Sequence, residues 1–271
     1  LWRGSKGPSS GFMRPPALSL AGVDPSGGAG LLLDIKIFQS RGLYGMGVAT
    51  ALTGQNSRGV SFSRPVEREE YRRGLELLRE DFSLGGVKIG MLPDAGIVEE
   101  TARFLESLPR SVFVVVDPVI RSGTGFPLME EGALHLFQER ILPRADLLTP
   151  NLPETEILSG LSIGGERELL KGGHALVRKT GGAVLVKGGH GWGTDYLFQG
   201  DRVWLFPGRL LKKDAHGTGC YLSSLLLALR LTSRRSLPLL VGEAKACLRE
   251  RIQKSLPLGK GDKRYLEVKN G

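Results

Sequence analysis

The sequence predicts an α/β fold with three layers, in which helices cover both faces of a mostly parallel sheet. Short runs of consecutive apolar residues recur along the chain, and SVFVVVDPV at 111–119 is the clearest of them. Such runs are typical of strands that are buried on both faces. Stretches with helix-like spacing separate them, which is the order expected of a parallel sheet with crossover helices. Because no internal repeat or linker divides the 271 residues, we expect one domain.

The elements predicted from this pattern alternate between strand and helix. The first strand leads through a glycine-rich loop into an amphipathic helix that stops at Gly42. Two polar-flanked segments, TDYLF and DRVWLF, come late in the chain. The predicted strands are residues 17–22, 45–53, 86–92, 111–119, 145–151 and 183–189, and the predicted helices are residues 31–42, 69–81, 97–108, 132–142, 154–160, 167–181 and 220–230.

Composition separates a short extension from the folded part of the chain. Residues 1–16 begin with LWRGSKGPSSGF, a run of turn-forming residues, and predict a flexible N-terminal extension ahead of a single domain at 17–271. Glycine accounts for 39 residues, roughly twice its usual share of about 7%. These glycines cluster in short turns, which indicates tight loops and close backbone approaches to a bound molecule.

The net charge of +9 raises the question of a nucleic-acid partner. The basic residues are scattered and form no run interleaved with aromatic residues, so no nucleic-acid partner is predicted. A basic surface instead helps to attract anionic substrates such as nucleotides. Cys220 and Cys247 give neither a disulfide framework nor a metal-type spacing, which favours a reducing cytoplasm. No apolar run reaches the ~18 residues of a membrane span, so no membrane partner is expected.

Ligands of such folds bind at the carboxyl ends of the strands, so the loops there hold the candidate site residues. The loop GVDPSGGAG at 22–30 is rich in glycine and lets backbone N–H groups approach a ligand closely. It matches neither the dinucleotide fingerprint nor a P-loop, and a plain strand-to-helix turn is the alternative. Gln55 follows the next strand, where its amide can read the edge of a heterocycle or simply belong to a polar loop.

Charged side chains follow the later strands. Asp117 ends a buried run, where a carboxylate is costly unless it is paired or lies near a metal. Asn151 and Glu154 follow the next strand, and acidic oxygens at adjacent strand ends suit magnesium, although a helix capping box explains the same pair. Lys187, backed by two glycines, suits a polyphosphate; a surface lysine whose stem packs on apolar residues is the alternative.

The segment KDAHGTGCYLSS at 213–224 places a flexible turn directly before an apolar helix. Gly217 and Gly219 allow successive N–H groups to converge, and the helix adds the positive end of its dipole. This arrangement stabilises negative charge on a transferred phosphoryl group. At the helix N-terminus Cys220 is expected to have a lowered thiol pKa, as a base or nucleophile, with a buried structural cysteine as the alternative. His216 is interpreted as loop structure.

Taken together, these loops resemble the hydroxymethylpyrimidine/phosphomethylpyrimidine kinases of thiamine biosynthesis, which belong to the ribokinase-like superfamily. The matching segments occur in the family's order and are residues 21–56, 88–92, 116–125, 149–160, 184–190 and 214–220. The segment at 21–56 and the GTGC motif at 217–220 are specific in combination, whereas GTGC alone indicates only the superfamily.

The resemblance implies a ribokinase-like fold, a homodimer, and two successive ATP- and magnesium-dependent phosphorylations. The first would act on the hydroxymethyl group of the pyrimidine and the second on the resulting monophosphate. Carried over by position, Gln55 would bond the aminopyrimidine, and four residues would line its pocket: Gly22, Asp24, Met91 and Val119.

The remaining roles implied by the resemblance concern phosphoryl transfer. Cys220 would be the base on the substrate hydroxyl, and Gly217, Thr218 and Gly219 would form the anion hole. Lys187 would contact the ATP phosphates. Asn151, Glu154 and Gly217 would complete the ATP site, and Asp117 with Glu154 would organise magnesium.

Four departures from the family pattern bear on efficiency. Ala215 stands where the family usually has Thr, Asp214 replaces a common Asn, Arg121 adds charge after Asp117, and the ending at 259–268 differs. A pyridoxal-type kinase of the same superfamily is the alternative, because it shares the Gly-Thr-Gly turn and acts on a similar heterocycle. A non-catalytic pyrimidine sensor is a third hypothesis, but it would need a DNA-binding segment, and the sequence shows none.

Overall fold

The structure is a computed structural model that describes residues 14–188, 193–208 and 213–269. Within these ranges a nine-stranded sheet has the order β3-β2-β1-β4-β5-β6-β7-β8-β9, and β10 and β11 form a separate pair. The strands are β1 Pro16–Val23, β2 Tyr44–Asn56, β3 Gly59–Pro65, β4 Gly86–Ile89, β5 Phe113–Val116, β6 Leu147–Leu148, β7 Ala183–Val186, β8 Thr194–Gln199, β9 Arg202–Pro207, β10 Ala215–His216 and β11 Arg264–Tyr265.

The six central strands of the sheet, from β2 to β7 in the spatial order, are parallel. Antiparallel strands close both edges, β3 against β2 on one side and β8 and β9 beyond β7 on the other. Strands β4 and β7 are buried along their whole length, as their continuous apolar runs predict. The mostly parallel sheet expected from the sequence is confirmed.

The helices lie on both faces of this sheet. On one face, α2 to α6 pack against a core that includes Leu20, Tyr71 and Phe104; on the other, α1, α7 and α8 enclose a second core around Leu33 and Leu225. These two cores confirm the three-layer architecture. The helices are α1 Gly30–Ser40, α2 Arg68–Asp81, α3 Ala95–Ser107, α4 Glu131–Leu136, α5 Leu152–Ser159, α6 Glu166–Thr180, α7 Thr218–Thr232 and α8 Leu237–Gln253.

Several predicted elements change at their boundaries; the strands β4, β6 and β7, for example, are shorter than the sequence predicts. Strand β1 begins at Pro16, inside the predicted extension, whose first thirteen residues lie outside the described ranges. The run predicted as a strand at 111–119 is extended only over Phe113–Val116, so Asp117 already belongs to the loop at the strand end. Among the described residues, none of the helices combines the length and apolar content that crossing a bilayer requires.

Candidate active site

A cleft of about 1180 Å³ opens where the parallel strands end. The loops after β1, β2, β4, β5, β6 and β7 reach it, and so does the first turn of α7, because the carboxyl ends of parallel strands meet at one edge of the sheet. The residues predicted from the sequence that line it are Gly22, Gln55, Met91, Asp117, Val119, Asn151, Glu154, Lys187, Gly217, Thr218, Gly219 and Cys220.

An ion pair between the partly buried Lys187 and the buried Asp117 forms the floor of the cleft. The Lys187 ammonium lies 2.9 Å from Oδ1 of Asp117, which also accepts a hydrogen bond of 3.1 Å from the Thr149 hydroxyl. Burial alone would raise the pKa of Asp117, but the positive charges of Lys187 and Lys88 hold it below its usual value. Burial likewise opposes the charge on Lys187, yet Asp117 and Glu154 raise the pKa of Lys187. Both members of the pair are therefore charged at neutral pH.

Asn151 and Glu154 form the capping box that the sequence allowed. The Asn151 side chain accepts a 2.8 Å hydrogen bond from the Glu154 backbone N–H, and Oε2 of Glu154 accepts one of 2.8 Å from the Asn151 N–H. Burial raises the pKa of Glu154 to about 7; Lys187 works against this shift, and the charge of Asp117 adds to it. The cap thus holds the Glu154 carboxylate beside Asp117. Burying this negative charge costs free energy, and a bound cation would offset that cost.

The turn before α7 requires glycine at its first position. Gly217 has φ 75° and ψ 17°, a left-handed conformation, and a methyl group built there would lie 2.0 Å from the carbonyl oxygen of Gly28. The N–H groups of the first helical turn have no partners within the helix and are available to a ligand. A methyl group on Gly219 would lie 3.4 Å from both Oδ2 of Asp117 and Nζ of Lys187, so this turn faces the ion pair.

The thiol of Cys220 differs from the sequence expectation. Burial raises its pKa to about 11; the positive charge of Lys88 works against this shift, and the negative charges of Asp34 and Asp117 add to it. The expectation of a lowered thiol pKa was therefore wrong. A helix N-terminus favours the thiolate, but here desolvation and two neighbouring carboxylates outweigh that effect.

The opposite wall of the cleft combines apolar side chains with the amide of Gln55. A methyl group on Gly22 would approach the Met91 sulfur to 3.0 Å, so the strand β1 backbone lies directly against that side chain. Gln55 donates a 2.9 Å hydrogen bond from Nε2 to the hydroxyl of Thr53, which itself donates to the Val23 carbonyl. This chain of hydrogen bonds orients the amide on the wall.

Asp24 is the one predicted pocket residue that does not line the cleft. It is fully buried, accepts hydrogen bonds from the Ser26 side chain and backbone, and lies 2.8 Å from Nε2 of His216. Burial alone would raise the pKa of Asp24, but the hydrogen bonds from His216 and Ser26 hold it below its usual value. Asp24 thus ties the glycine loop to the segment that precedes the Gly217 turn.

Sequence reasoning missed a second buried ion pair beside the first. Lys88 of β4 lines the cleft, and its ammonium lies 2.8 Å from Oδ2 of Asp34 on α1. Asp34 also accepts hydrogen bonds from Ser19, at 2.6 Å, and from Ser224 on α7, at 2.7 Å. Both charged side chains are fully inaccessible to solvent. The signal available in the sequence was a charged residue within an apolar run, Lys88 in GVKIGML and Asp34 in LLLDIKIF.

Comparisons with known proteins identify the family. The family model described as phosphomethylpyrimidine kinase matches residues 24–265. A hydroxymethylpyrimidine/phosphomethylpyrimidine kinase of Staphylococcus aureus strain MSSA476 is 36% identical over 254 residues, covering 90% of each chain. The enzyme of that name from Escherichia coli K12 is 40% identical over 220 residues, covering 79% of this chain and 82% of its relative.

Solved structures give the same fold. A phosphomethylpyrimidine kinase from Clostridium difficile 630 has a TM-score of 0.78 and 30% identity, covering 88% of this chain and all of its own. The pyridoxal kinase of Staphylococcus aureus in complex with pyridoxal has a TM-score of 0.84 and 25% identity. The match covers 95% of this chain and 94% of the pyridoxal kinase chain. These structures support the ribokinase-like kinase architecture expected above. With a family match that spans most of the sequence, the chain belongs to the phosphomethylpyrimidine kinase family.

Proposed function

We propose that this protein is an ATP-dependent kinase of thiamine diphosphate biosynthesis. It phosphorylates 4-amino-5-hydroxymethyl-2-methylpyrimidine and then phosphorylates the resulting monophosphate to the diphosphate. The observation that carries the proposal is the juxtaposition, in one cleft, of the Gly217–Gly219 turn, the Asp117–Lys187 ion pair and the amide of Gln55. The family membership supports the same substrate class.

The phosphates of ATP are bound at the α7 end of the cleft. Lys187 contributes a fixed positive charge, since Asp117 holds its ammonium in place at 2.9 Å. The N–H groups of Gly217, Thr218 and Gly219 form the anion hole, and they stabilise the negative charge that develops on the transferred phosphoryl group. Asn151 borders the same region and fixes the position of Glu154 through the capping box.

Cys220 is the base on the acceptor hydroxyl. The hydroxymethyl oxygen attacks the γ-phosphorus as its proton passes to the Cys220 sulfur, and ADP leaves with the electrons of the broken P–O bond. With a thiol pKa of about 11, only a small fraction is thiolate at neutral pH. The buried ammonium of Lys88 favours that fraction, because it is the positive charge that most opposes the rise in the thiol pKa.

Two carboxylates fit magnesium at this site. Among the described residues, no group of three or more His, Cys, Asp or Glu side chains could enclose a metal ion. A magnesium ion held by one or two carboxylates, its own waters and substrate phosphates needs no such group. Asp117 and Glu154 would hold it, and the ion would neutralise charge on the β- and γ-phosphates when bound.

The aminopyrimidine binds against the opposite wall. Gly22, Met91 and Val119 supply apolar contact with the ring, and Gln55 bonds its polar edge. Asp24, behind this wall, acts through His216 and the glycine loop rather than by touching the ring. The homodimer and the cytoplasmic location expected from the sequence stay predictions.

Pyridoxal is the second candidate acceptor. The pyridoxal kinase of Staphylococcus aureus has a TM-score of 0.84, against 0.78 for the Clostridium difficile phosphomethylpyrimidine kinase, although its sequence identity is lower. A non-catalytic sensor is disfavoured because Cys220 and both anion-hole glycines are present.

The test is a comparison of specificity constants with magnesium-ATP and either acceptor, measured as ADP release. We expect kcat/KM for hydroxymethylpyrimidine to exceed that for pyridoxal by at least about tenfold, because we assign the Gln55 amide to the polar edge of an aminopyrimidine. The reverse order would assign the chain to pyridoxal. If neither acceptor gives ADP release and the chain still binds the pyrimidine, the non-catalytic sensor would be the favoured function.

A further inference from the structure

The second acceptor of the proposed reaction differs from the first in charge. The hydroxymethyl compound has no phosphate, whereas a phosphate monoester carries roughly −1.5 to −2 charge at pH 7. It must bind in a cleft that also holds ATP, Asp117 and Glu154. The protein therefore needs positive groups near the acceptor that are not already neutralised.

The two lysines at the floor of the cleft are committed to carboxylates. Lys187 is paired with Asp117 at 2.9 Å, and Lys88 is paired with Asp34 at 2.8 Å in full burial. Separating either pair would leave a buried charge without a partner, which is strongly destabilising. These lysines do not supply a free charge for the acceptor phosphate.

Five other cations line the same cleft. Lys245 and Arg249 belong to α8, and Lys213 precedes β10. Arg121 and Lys263 instead lie beside the loops that follow β5 and β2, on the acceptor side. Lys263 pairs with Asp214, and these side chains are 23% and 48% exposed, so their pairing is weak and exchangeable. Arg121 donates to the Gly125 carbonyl at 3.4 Å, and no carboxylate of the described residues lies within ion-pair distance of it. A methyl group on Gly123 would lie 3.8 Å from Nζ of Lys263, which places this ammonium against the loop that begins at Arg121.

The backbone that carries Lys263 is fixed to the acceptor side of the site. Strand β11 pairs with β10, aligning Arg264 with Ala215, and the Arg264 N–H donates to the Asp214 carbonyl at 3.0 Å. The Gly261 N–H donates to the Ser57 hydroxyl at 2.9 Å, just after the strand that carries Gln55. The stem of Lys263 is thereby anchored between the pyrimidine wall and the Gly217 turn, while its ammonium can change partner.

We propose that Lys263, assisted by Arg121, binds the phosphate of the monophosphate acceptor, and that Asp214 holds the Lys263 ammonium in place when no phosphate is present. This inference rests on the proposed function, because it assigns a subsite to its second step.

The test is calorimetric binding of hydroxymethylpyrimidine and of its monophosphate to the whole chain and to Lys263→Met. We expect the variant to bind the monophosphate about tenfold or more weakly, through loss of a charge-assisted contact, and the uncharged pyrimidine within about twofold of wild type. Lys263→Arg should retain most of the affinity. Lys260→Met, an exposed lysine of the same segment, is the matched control and should change neither affinity.

The outcomes separate the subsite from the proposed function. If the binding of both ligands weakens equally, or neither weakens, Lys263 does not bind the acceptor phosphate and only stabilises the structure of its segment. A wild-type chain that binds neither ligand would contradict the proposed function itself. If Lys263→Met unfolds at a lower temperature than wild type, Arg121→Met provides the same comparison from the opposite loop, with a selective loss of several-fold expected for the monophosphate.

Discussion

At the scale of single residues, the proposed chemistry depends on a thiol that is harder to ionise than its position suggests. The thiolate of Cys220 is a minor species below its pKa of about 11, so its population grows with pH. We predict that log kcat rises with pH at a slope near one above pH 8, where Glu154, with a pKa of about 7, is already ionised.

The corresponding variant is Cys220→Ala. We expect kcat to fall by about 10²–10⁴-fold and the alkaline rise in rate to disappear, with pyrimidine affinity mostly retained. Steady-state kinetics across pH 6–10 and calorimetry measure these effects. The control is Cys247→Ala, which removes a cysteine that does not line the cleft. It should keep the wild-type dependence of rate on pH. Turnover of Cys220→Ala at the wild-type rate would remove this thiol from the mechanism.

Glu154 gives a prediction about stability. Its pKa is about 7 when folded and 4.5 when unperturbed, so between these pH values the folded state retains a proton that the unfolded state has lost. The free energy of unfolding therefore falls as pH rises from about 4.5 to about 7, by on the order of 3 kcal/mol for this group.

Glu154→Gln should lack that pH-dependent loss while keeping the capping box, because glutamine serves the same position. Urea unfolding at pH 5 and pH 8 measures the difference. We expect the variant to gain stability relative to wild type at pH 8 and to need more magnesium for turnover. An identical pH dependence in the two proteins would show that Glu154 ionises normally.

Single residues also show what sequence reasoning could and could not find. Gly217 and Lys187 could be predicted to lie at the site, because a flexible turn before a helix and a lysine at a strand end are local patterns. The thiol pKa of Cys220 could not be predicted, since it depends on burial and on the charges of Asp34 and Asp117, which only the fold brings near. Asp24 was placed on the pocket by position, whereas its partner His216 is 192 residues away.

At the scale of elements, the first turns of α7 are held by two carboxylates. Ser224 donates to Asp34 at 2.7 Å, and Ser223 lies 3.4 Å from Asp117, so each serine connects the helix to one buried ion pair. Because Cys220 is four residues before Ser224 on the same helix face, the Lys88–Asp34 pair also fixes the position of the thiol.

We predict that Lys88→Met destabilises the protein by about 3–5 kcal/mol, because Asp34 would remain buried without its partner. Asp34→Asn combined with Lys88→Met removes that unpaired charge and should recover a large part of the loss. A urea unfolding series on the wild type, the two single variants and the double variant gives the coupling. A double variant no more stable than Lys88→Met would contradict the role assigned to the pair.

Among the described elements, the sequence pattern failed to reveal α8 and the strands β3, β10 and β11, and α8 is the longest of them. Pro238 and Gly242 lie within its first turns and are ordinarily signals of a break. Proline is tolerated there because the first N–H groups of a helix have no internal partners. Burial of Leu240, Val241 and Ala244 in the second core stabilises the helix, and that contact is tertiary.

At the scale of the whole molecule, six parallel strands bring loops from positions 22 to 220 to one edge of the sheet. This convergence could be predicted, because it follows from the topology of any doubly covered parallel sheet. The attachment of the segment at 259–268 to this edge could not be predicted. Its contact between Gly261 and Ser57 spans 204 residues and leaves no local pattern in the sequence.

The central claim is that one cleft performs both phosphorylations. Its most direct test is the number of ADP molecules released per hydroxymethylpyrimidine consumed, with excess magnesium-ATP and the wild-type chain. We predict two, with the pyrimidine diphosphate as the final product by mass spectrometry. One ADP per pyrimidine, with the monophosphate accumulating and never consumed, would contradict the claim.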